Sequence, residues 1–415
     1  MKKFFIVLAA AALALSACSK VETVENELGS KITFQTANFS TQTKAVSVLD
    51  DFKAFQCRAF LHAQGVDIVD GVDQGTCQEF FGANGETISP DNATTPTKWS
   101  TEYSTNGHAY YWPKDAASYV NFVAWYGKSG ENAVTPTIAY TKGTGDNAKW
   151  TATMTWNFTT TLGQATSNLM YADMAWRYKE NVKKNEAGDN GYWMNSVTEG
   201  VPMLFHHALA QINVKAYVSG ATTTGDGTLT PTDAAPIGTG VTDNIASWTV
   251  KLTNAKLGKI YSAGKLELTN EDPGTASTPK AWTGDWEGTG SAADVTVSEL
   301  TVTAVTKDGA NDFIAASCVL PQDLVTGTGD AATKVALVFD LDITTTYGTG
   351  TSAVTHHEII PVSINLSDMG TNHTAWNKNT KYTYYLRIVP NQNKVLFDPA
   401  LEAEWTVTTV GEKEI

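Results

Sequence analysis

Seven histidines occur in this chain, and four of them stand as adjacent pairs, His206-His207 and His356-His357. Imidazole carries protons near neutral pH and is a common metal ligand. Both pairs lie in strand-like stretches, where neighbouring side chains point to opposite faces. A pair so placed cannot easily close on one ion. Asp67, Asp70 and Asp73, set among Gly71 and Gly75, offer carboxylates that suit a hard cation such as calcium. Their spacing departs from the EF-hand loop, in which ligands recur every second residue, and a solvated acidic loop is the plainer reading. With Cys18 set aside, Cys57, Cys77 and Cys318 remain. Either Cys57 and Cys77 pair across a hairpin, or all three are small buried hydrophobes. None has zinc-ligand spacing. The 12 tryptophans could stack on carbohydrate, although core packing is the commoner use of Trp in strand-like contexts. The chain has no Gly-x-Ser-x-Gly elbow, no P-loop and no His-Glu-x-x-His. The expectation is a protein that is not an enzyme and needs no cofactor and no metal.

The elements around these residues are β-strands. The chain has 415 residues, of which only 17% are charged, with 33 Gly and abundant Thr. Thr and aromatic residues fit pleated, half-buried surfaces. Short alternating runs recur: 53–62, 119–126, 149–158, 168–175, 202–218, 248–253, 265–268, 295–304, 312–320, 334–343, 358–364 and 381–389. Turn residues separate them, which predicts β-sandwiches. The apolar pattern collapses between 219 and 240 and reads as a linker. The formal charge of −14 argues against nucleic acid as a partner, because phosphate binding needs clustered Lys and Arg.

The first residues set the compartment. Lys2 and Lys3 precede an apolar run over 4–15, too short to span a bilayer, which reads as a signal peptide. It ends in Leu15-Ser16-Ala17-Cys18, a bacterial lipobox pattern in which Cys18 becomes the lipidated first residue. Residues 19–30 read as a tether. Residues 31–39 alternate, with Ile32, Phe34 and Thr36 on one side, and predict a short strand. The small polar stretch that follows holds one basic residue, Lys44, where a protease could cut.

The other end has a longer pattern. Val395, Phe397, Pro399, Leu401, Ala403, Trp405 and Val407 alternate with mostly polar neighbours. At about 3.3 Å per residue this strand would span roughly 40 Å. It needs a groove, supplied either by its own domain or by another subunit.

Taken in order, several stretches resemble the fimbrillin family, the shaft and accessory subunits of Bacteroidales type V pili. They are Lys31-Ile32-Thr33-Phe34 with Thr43-Lys44-Ala45; Tyr110-Tyr111-Trp112-Pro113 leading into Val120-Asn121-Phe122-Val123-Ala124; Asn168-Leu169-Met170-Tyr171-Ala172; Phe205-His206-His207-Ala208-Leu209-Ala210; Leu320-Pro321-Gln322; Trp376-Asn377 through Tyr382-Thr383-Tyr384; and Glu404-Trp405. The resemblance implies two transthyretin-like β-sandwich domains with Greek-key-type connections. It also implies a domain plan: signal peptide 1–18, tether and removable first strand 19–44, N-terminal sandwich 45–219, linker 220–240, and C-terminal sandwich 241–415 with a donor strand at 394–410.

The family further implies export to the outer membrane as a lipoprotein on Cys18, and cleavage there between Lys44 and Ala45. The family pattern more often has Arg at the cut, so Lys44 suggests a trypsin-like protease. Loss of the strand carrying Ile32 and Phe34 leaves a groove. Val395, Phe397, Leu401, Trp405 and Val407 of another copy or a related pilus subunit then fill it. The mature protein would be an extracellular fimbrium that supports adhesion, with host or bacterial surface ligands as further partners. The alternative is a lipid-anchored surface glycan-binding or adhesin protein, a pilus tip subunit included, that keeps residues 19–44 and is not a shaft polymer.

Overall fold

Alternation over most of the chain becomes strand, and the computed structural model is all-β, with only short 3-10 turns besides. It describes residues 30–35, 54–62, 68–69, 72–73, 77–93, 98–113, 118–127, 135–144, 149–163, 169–180, 195–197, 200–232, 245–273, 280–329, 332–370, 373–390 and 394–402.

The first half is built on Tyr119–Gly127, whose residues from Tyr119 to Tyr126 are all buried. A strand covered on both faces reads as a continuous apolar run, and this one is Tyr-Val-Asn-Phe-Val-Ala-Trp-Tyr. It pairs with Phe55–His62 on one side and with Leu169–Ala172 and Ala175–Glu180 on the other. Val120, Phe122 and Ala124 face one core, with Phe34, Phe55 and Phe81. Val123 and Trp125 face a second, with Met154, Trp156, Leu266 and Leu268. That second face is covered by a separate sheet made of Thr137–Lys142, Trp150–Thr159, Ala263–Glu271 and Trp286–Gly288.

The second half is a two-sheet sandwich. One sheet runs Asn311–Val319, Ala210–Val218, Lys381–Val389, Lys394–Glu402; the other is centred on Ile245–Ile260, Ala336–Tyr347 and Val354–Asn365. Ile212, Val214, Val250, Leu252, Leu337, Phe339, Leu386 and Ile388 close the core between them.

The sheets do not divide at the expected boundary. Ala210–Val218 precedes residue 220, yet it pairs in parallel with Lys381–Val389 inside the second sandwich. Ala263–Glu271 follows residue 240, yet it pairs along Trp150–Thr159 in the first half. The segment read as a linker at 220–240 also carries structure. Ala221–Thr223 and Leu229–Pro231 form a hairpin, Leu229 pairs with Trp248, and Ala221 and Leu229 are buried. Two apolar anchors among Thr residues, which favour strands, are enough to hold this hairpin on the core. Residues 233–240 lie outside the described residues. The run at 202–218 is three strands, Val201–Pro202, Phe205–His207 and Ala210–Val218.

One strand deviates for a visible reason. Arg177 has φ 59°, where the register shifts between Ala175 and Tyr178. This bulge carries Arg177 into the interior, against Asp272. Nε and Nη2 of Arg177 donate to the two carboxylate oxygens at 3.1 and 2.6 Å. The guanidinium also lies 5.4 Å from the centre of the Tyr119 ring. Trp176 donates to Asn270 and Trp282 donates to the Ala172 carbonyl. Residues 270–282 are therefore stitched to 172–177, which ties the covering sheet to the central one.

Candidate functional site

The first strand sits in a seat built from three stretches of the first half. Phe34–Gln35 pairs in parallel with Val201–Pro202, and Phe34 pairs antiparallel with Trp99. The Ile32 N–H donates to the Tyr110 carbonyl at 2.8 Å, and the Trp112 N–H to the Ser30 carbonyl at 3.0 Å. On the other flank the Val201 N–H donates to the Thr33 carbonyl at 2.8 Å. At the mouth, the exposed Lys31 ammonium lies 2.7 Å from Glu102.

The side chains do the larger part. Ile32 is 1% exposed and Phe34 0%. The Phe34 ring meets Phe122, Phe55 and Phe81 edge-on at 5.3, 5.9 and 6.3 Å between centres. Phe122 is in the same sheet several strands away, so the sheet curls until its first strand caps its own core. Burial of two such side chains contributes very roughly 3–6 kcal/mol. Without residues 30–35, the Phe55, Phe81 and Phe122 rings and the Tyr110 and Val201 backbone groups would face solvent. Residues 36–53 lie outside the described residues, and with them Lys44 and Ala45; so does Cys18.

The terminal strand is placed on its own sheet. Lys394–Glu402 pairs antiparallel with Lys381–Val389 over nine residues, from Lys381 opposite Glu402 to Val389 opposite Lys394. Val395, Phe397 and Leu401 stand opposite Ile388, Leu386 and Tyr382, all of which are buried. Among the described residues the strand is the last in its sheet and pairs along one backbone edge. Pro399, which has no N–H, suits an edge. Trp405 and Val407 lie outside the described residues. Within one molecule the first strand and the terminal strand belong to different sheets.

The chemistry-bearing residues are dispersed. His206 bonds Asp173 at 2.9 Å and His357 bonds Asp342 at 2.8 Å. Burial holds the His207 imidazole down at about 3, with His206 adding to the effect. Burial likewise holds His373 at about 4, and its Nε2 is 2.7 Å from the Tyr384 hydroxyl. Among the described residues no three His, Cys, Asp or Glu side chains come together as a metal site. Asp67 and Asp70 lie outside the described residues, while Asp73 pairs with Ile68 in a small hairpin.

Among the described residues, Cys57, Cys77 and Cys318 form no disulfide with one another. Cys77 stands opposite His62, five residues along the strand from Cys57, so roughly 16 Å separates the two positions and no disulfide can close. Cys57 belongs to one core and Cys318 to the other, where burial pushes both thiols up. Most of the described tryptophans are buried, with Trp156, Trp176 and Trp376 wholly inside. Sequence reasoning missed the Arg177–Asp272 pair. The signal was an arginine in an apolar strand, but its partner lies 95 residues away.

The chain is similar to several solved structures. A fimbrial protein from Bacteroides vulgatus matches over 91% of this chain and 99% of its own, with 16% identity and a TM-score of 0.47. A proposed cell adhesion protein from Bacteroides uniformis matches over 91% and 98%, with 14% identity and a TM-score of 0.38. Another, from Parabacteroides distasonis, matches over 92% and 96%, with 11% identity and a TM-score of 0.33. No protein-family model matches the chain, and no curated sequence does.

Proposed function

We propose that this chain is a structural subunit of a cell-surface fimbria that polymerises by strand exchange. It is exported as a lipoprotein on Cys18 and cut between Lys44 and Ala45 by a trypsin-like protease at the outer membrane. The first strand then leaves its seat, and the C-terminal segment of another copy or a related subunit enters. Val395, Phe397, Leu401, Trp405 and Val407 are the donor residues of that segment.

The observation that carries the reading is the seat. A six-residue segment near the N-terminus fills an aromatic core position and bonds on both flanks, with the proposed cut downstream of it. An emptied seat exposes apolar rings and unpaired backbone, which favours addition of a strand. Seat and donor lie in different sheets, so the joint is heterologous and propagates as a filament. Purified precursor, treated with trypsin, is expected to begin at Ala45 and to form ladders on a denaturing gel run without boiling. Cleavage at Lys44 without any polymer would overturn the exchange step.

A second reading is favoured by the complete pairing of Lys394–Glu402 on its own sheet. In it the chain keeps residues 19–44 and acts as a lipid-anchored adhesin or tip subunit. N-terminal sequencing of surface material separates the two. A lipidated Cys18 selects the adhesin, and Ala45 selects the shaft subunit.

A further inference from the structure

Two adjoining clefts open beside the Trp286–Gly288 strand, of about 410 and 500 Å³, and Trp286 and Asp323 line both. Their sizes lie within the usual range for small-ligand sites, about 300–1,000 Å³. Trp286 is half-buried, unlike the core tryptophans. Its indole N–H donates to the Ala208 carbonyl at 2.5 Å, which fixes the plane of the ring. Tyr261 lines the same cleft, and its ring lies flat across Gly288. A Cβ at Gly288 would fall 2.5–2.8 Å from three Tyr261 ring atoms, so glycine is what leaves room for the ring. Gln322 clamps the backbone beneath, accepting from the Tyr261 N–H at 2.9 Å and donating to the Lys259 carbonyl at 3.1 Å. The result is a pair of positioned aromatic rings in an open cleft.

The rim is polar and acidic. Asp285, Glu287 and Asp323 are exposed around it. The Lys378 ammonium is 3.0 Å from Asp285 and also reaches the Gly284 carbonyl. Aromatic faces suit the C–H face of a pyranose, while carboxylates accept from its hydroxyls. Lys259 and Lys378 line the clefts beside the three carboxylates, so the charge is mixed with a small acidic excess, which favours a neutral ligand over an anionic one. A bare cation is disfavoured, since no three ligating side chains converge among the described residues.

We infer that the cleft between Tyr261, Trp286 and Asp323 binds a neutral saccharide of two or three hexose units. This goes beyond strand exchange and does not depend on it, because none of these residues belongs to the seat or the terminal strand. The test uses the full-chain monomer, saturation-transfer NMR and calorimetry, with lactose, maltotriose and diacetylchitobiose as probes. At least one is expected to bind with a Kd on the order of 1 mM. Asp323→Asn, which leaves the Trp286 hydrogen bond intact, should weaken that binding roughly tenfold or more without lowering Tm, and Tyr261→Leu should weaken it as much while the chain still folds with a lower Tm. Trp286→Leu should abolish it. If Trp286→Leu fails to fold, the other two variants decide. No binding by any of the three sugars overturns the proposal, as does binding that survives both substitutions. Binding of sialyllactose more tightly than lactose overturns the neutral-ligand assignment.

Discussion

The two ends of the chain are held by opposite means. Among the described residues the first strand makes few backbone bonds, a bridge of Lys31 with Tyr111 and a short ladder at Phe34–Gln35, but Ile32 and Phe34 are wholly buried against an aromatic box. The terminal strand makes a nine-residue ladder and sits at a sheet edge. A segment held by two side chains can be exchanged for another with similar side chains, because its seat specifies shape. A segment held by a long ladder is specified by backbone and accepts many sequences. In the proposed exchange the first end is the one replaced, while within one molecule the terminal strand is the more fully paired.

The comparison can be broken at its strongest point first. Phe34→Ala should cost about 3–5 kcal/mol, since the rings of Phe55, Phe81 and Phe122 cannot fully close the void. Thermal unfolding of the uncleaved chain measures this, and an unchanged Tm would mean the seat is not held by side-chain burial. Truncation gives the next effect. Removing 394–415 should lower Tm, because it strips the ladder from Lys381–Val389. Removing only 403–415, which carries the donor residues Trp405 and Val407, should leave Tm near that of the full chain and weaken polymerisation. Undiminished polymerisation by that shorter chain would confine the donor to 394–402.

A smaller effect follows from pH. His373 bonds Tyr384, the residue opposite Pro399 of the terminal strand, and is held at about 4 by burial. In the unfolded chain an ordinary histidine titrates near 6.5. Between those values the unfolded state binds the proton that the folded state refuses. Stability contributed by the neutral imidazole is thus fully present above about 6.5 and is lost as pH falls toward 4, on the order of 3 kcal/mol. His207, held at about 3, adds in the same direction. His373→Gln should flatten the profile in a pH series of denaturant melts. The smallest effect is expected at the mouth of the seat. Lys31→Ala removes an exposed, solvent-screened pair with Glu102 and should leave Tm almost unchanged.

Much of the strand content was legible, because alternation is a local signal. The 381–389 run has the same bounds in the structure, and 119–126 read as buried because both its faces are covered. What alternation does not carry is the partner. Nothing local to Ala210–Val218 says that it will lie beside Lys381–Val389 rather than close the sheet of its own half. The same limit hid the pairing of Ala263–Glu271 with Trp150–Thr159 and the ion pair of Arg177 with Asp272. The seat was partly legible, since Ile32 and Phe34 alternate with polar residues. Its walls, Tyr110, Trp99 and Val201, come from separate stretches brought together only by the curl of the sheet.

The ladder between Lys394–Glu402 and Lys381–Val389 has a mechanical consequence. A pull applied to the chain beyond Glu402, along the axis of that strand, loads all nine residue pairs at the same moment. A pull across the axis would open them one after another, at far lower force. Lys381–Val389 is backed on its other side by eight parallel pairs with Ala210–Val218, so an axial load passes into the middle of the sandwich. Within the single chain, tension at this end would be carried in shear.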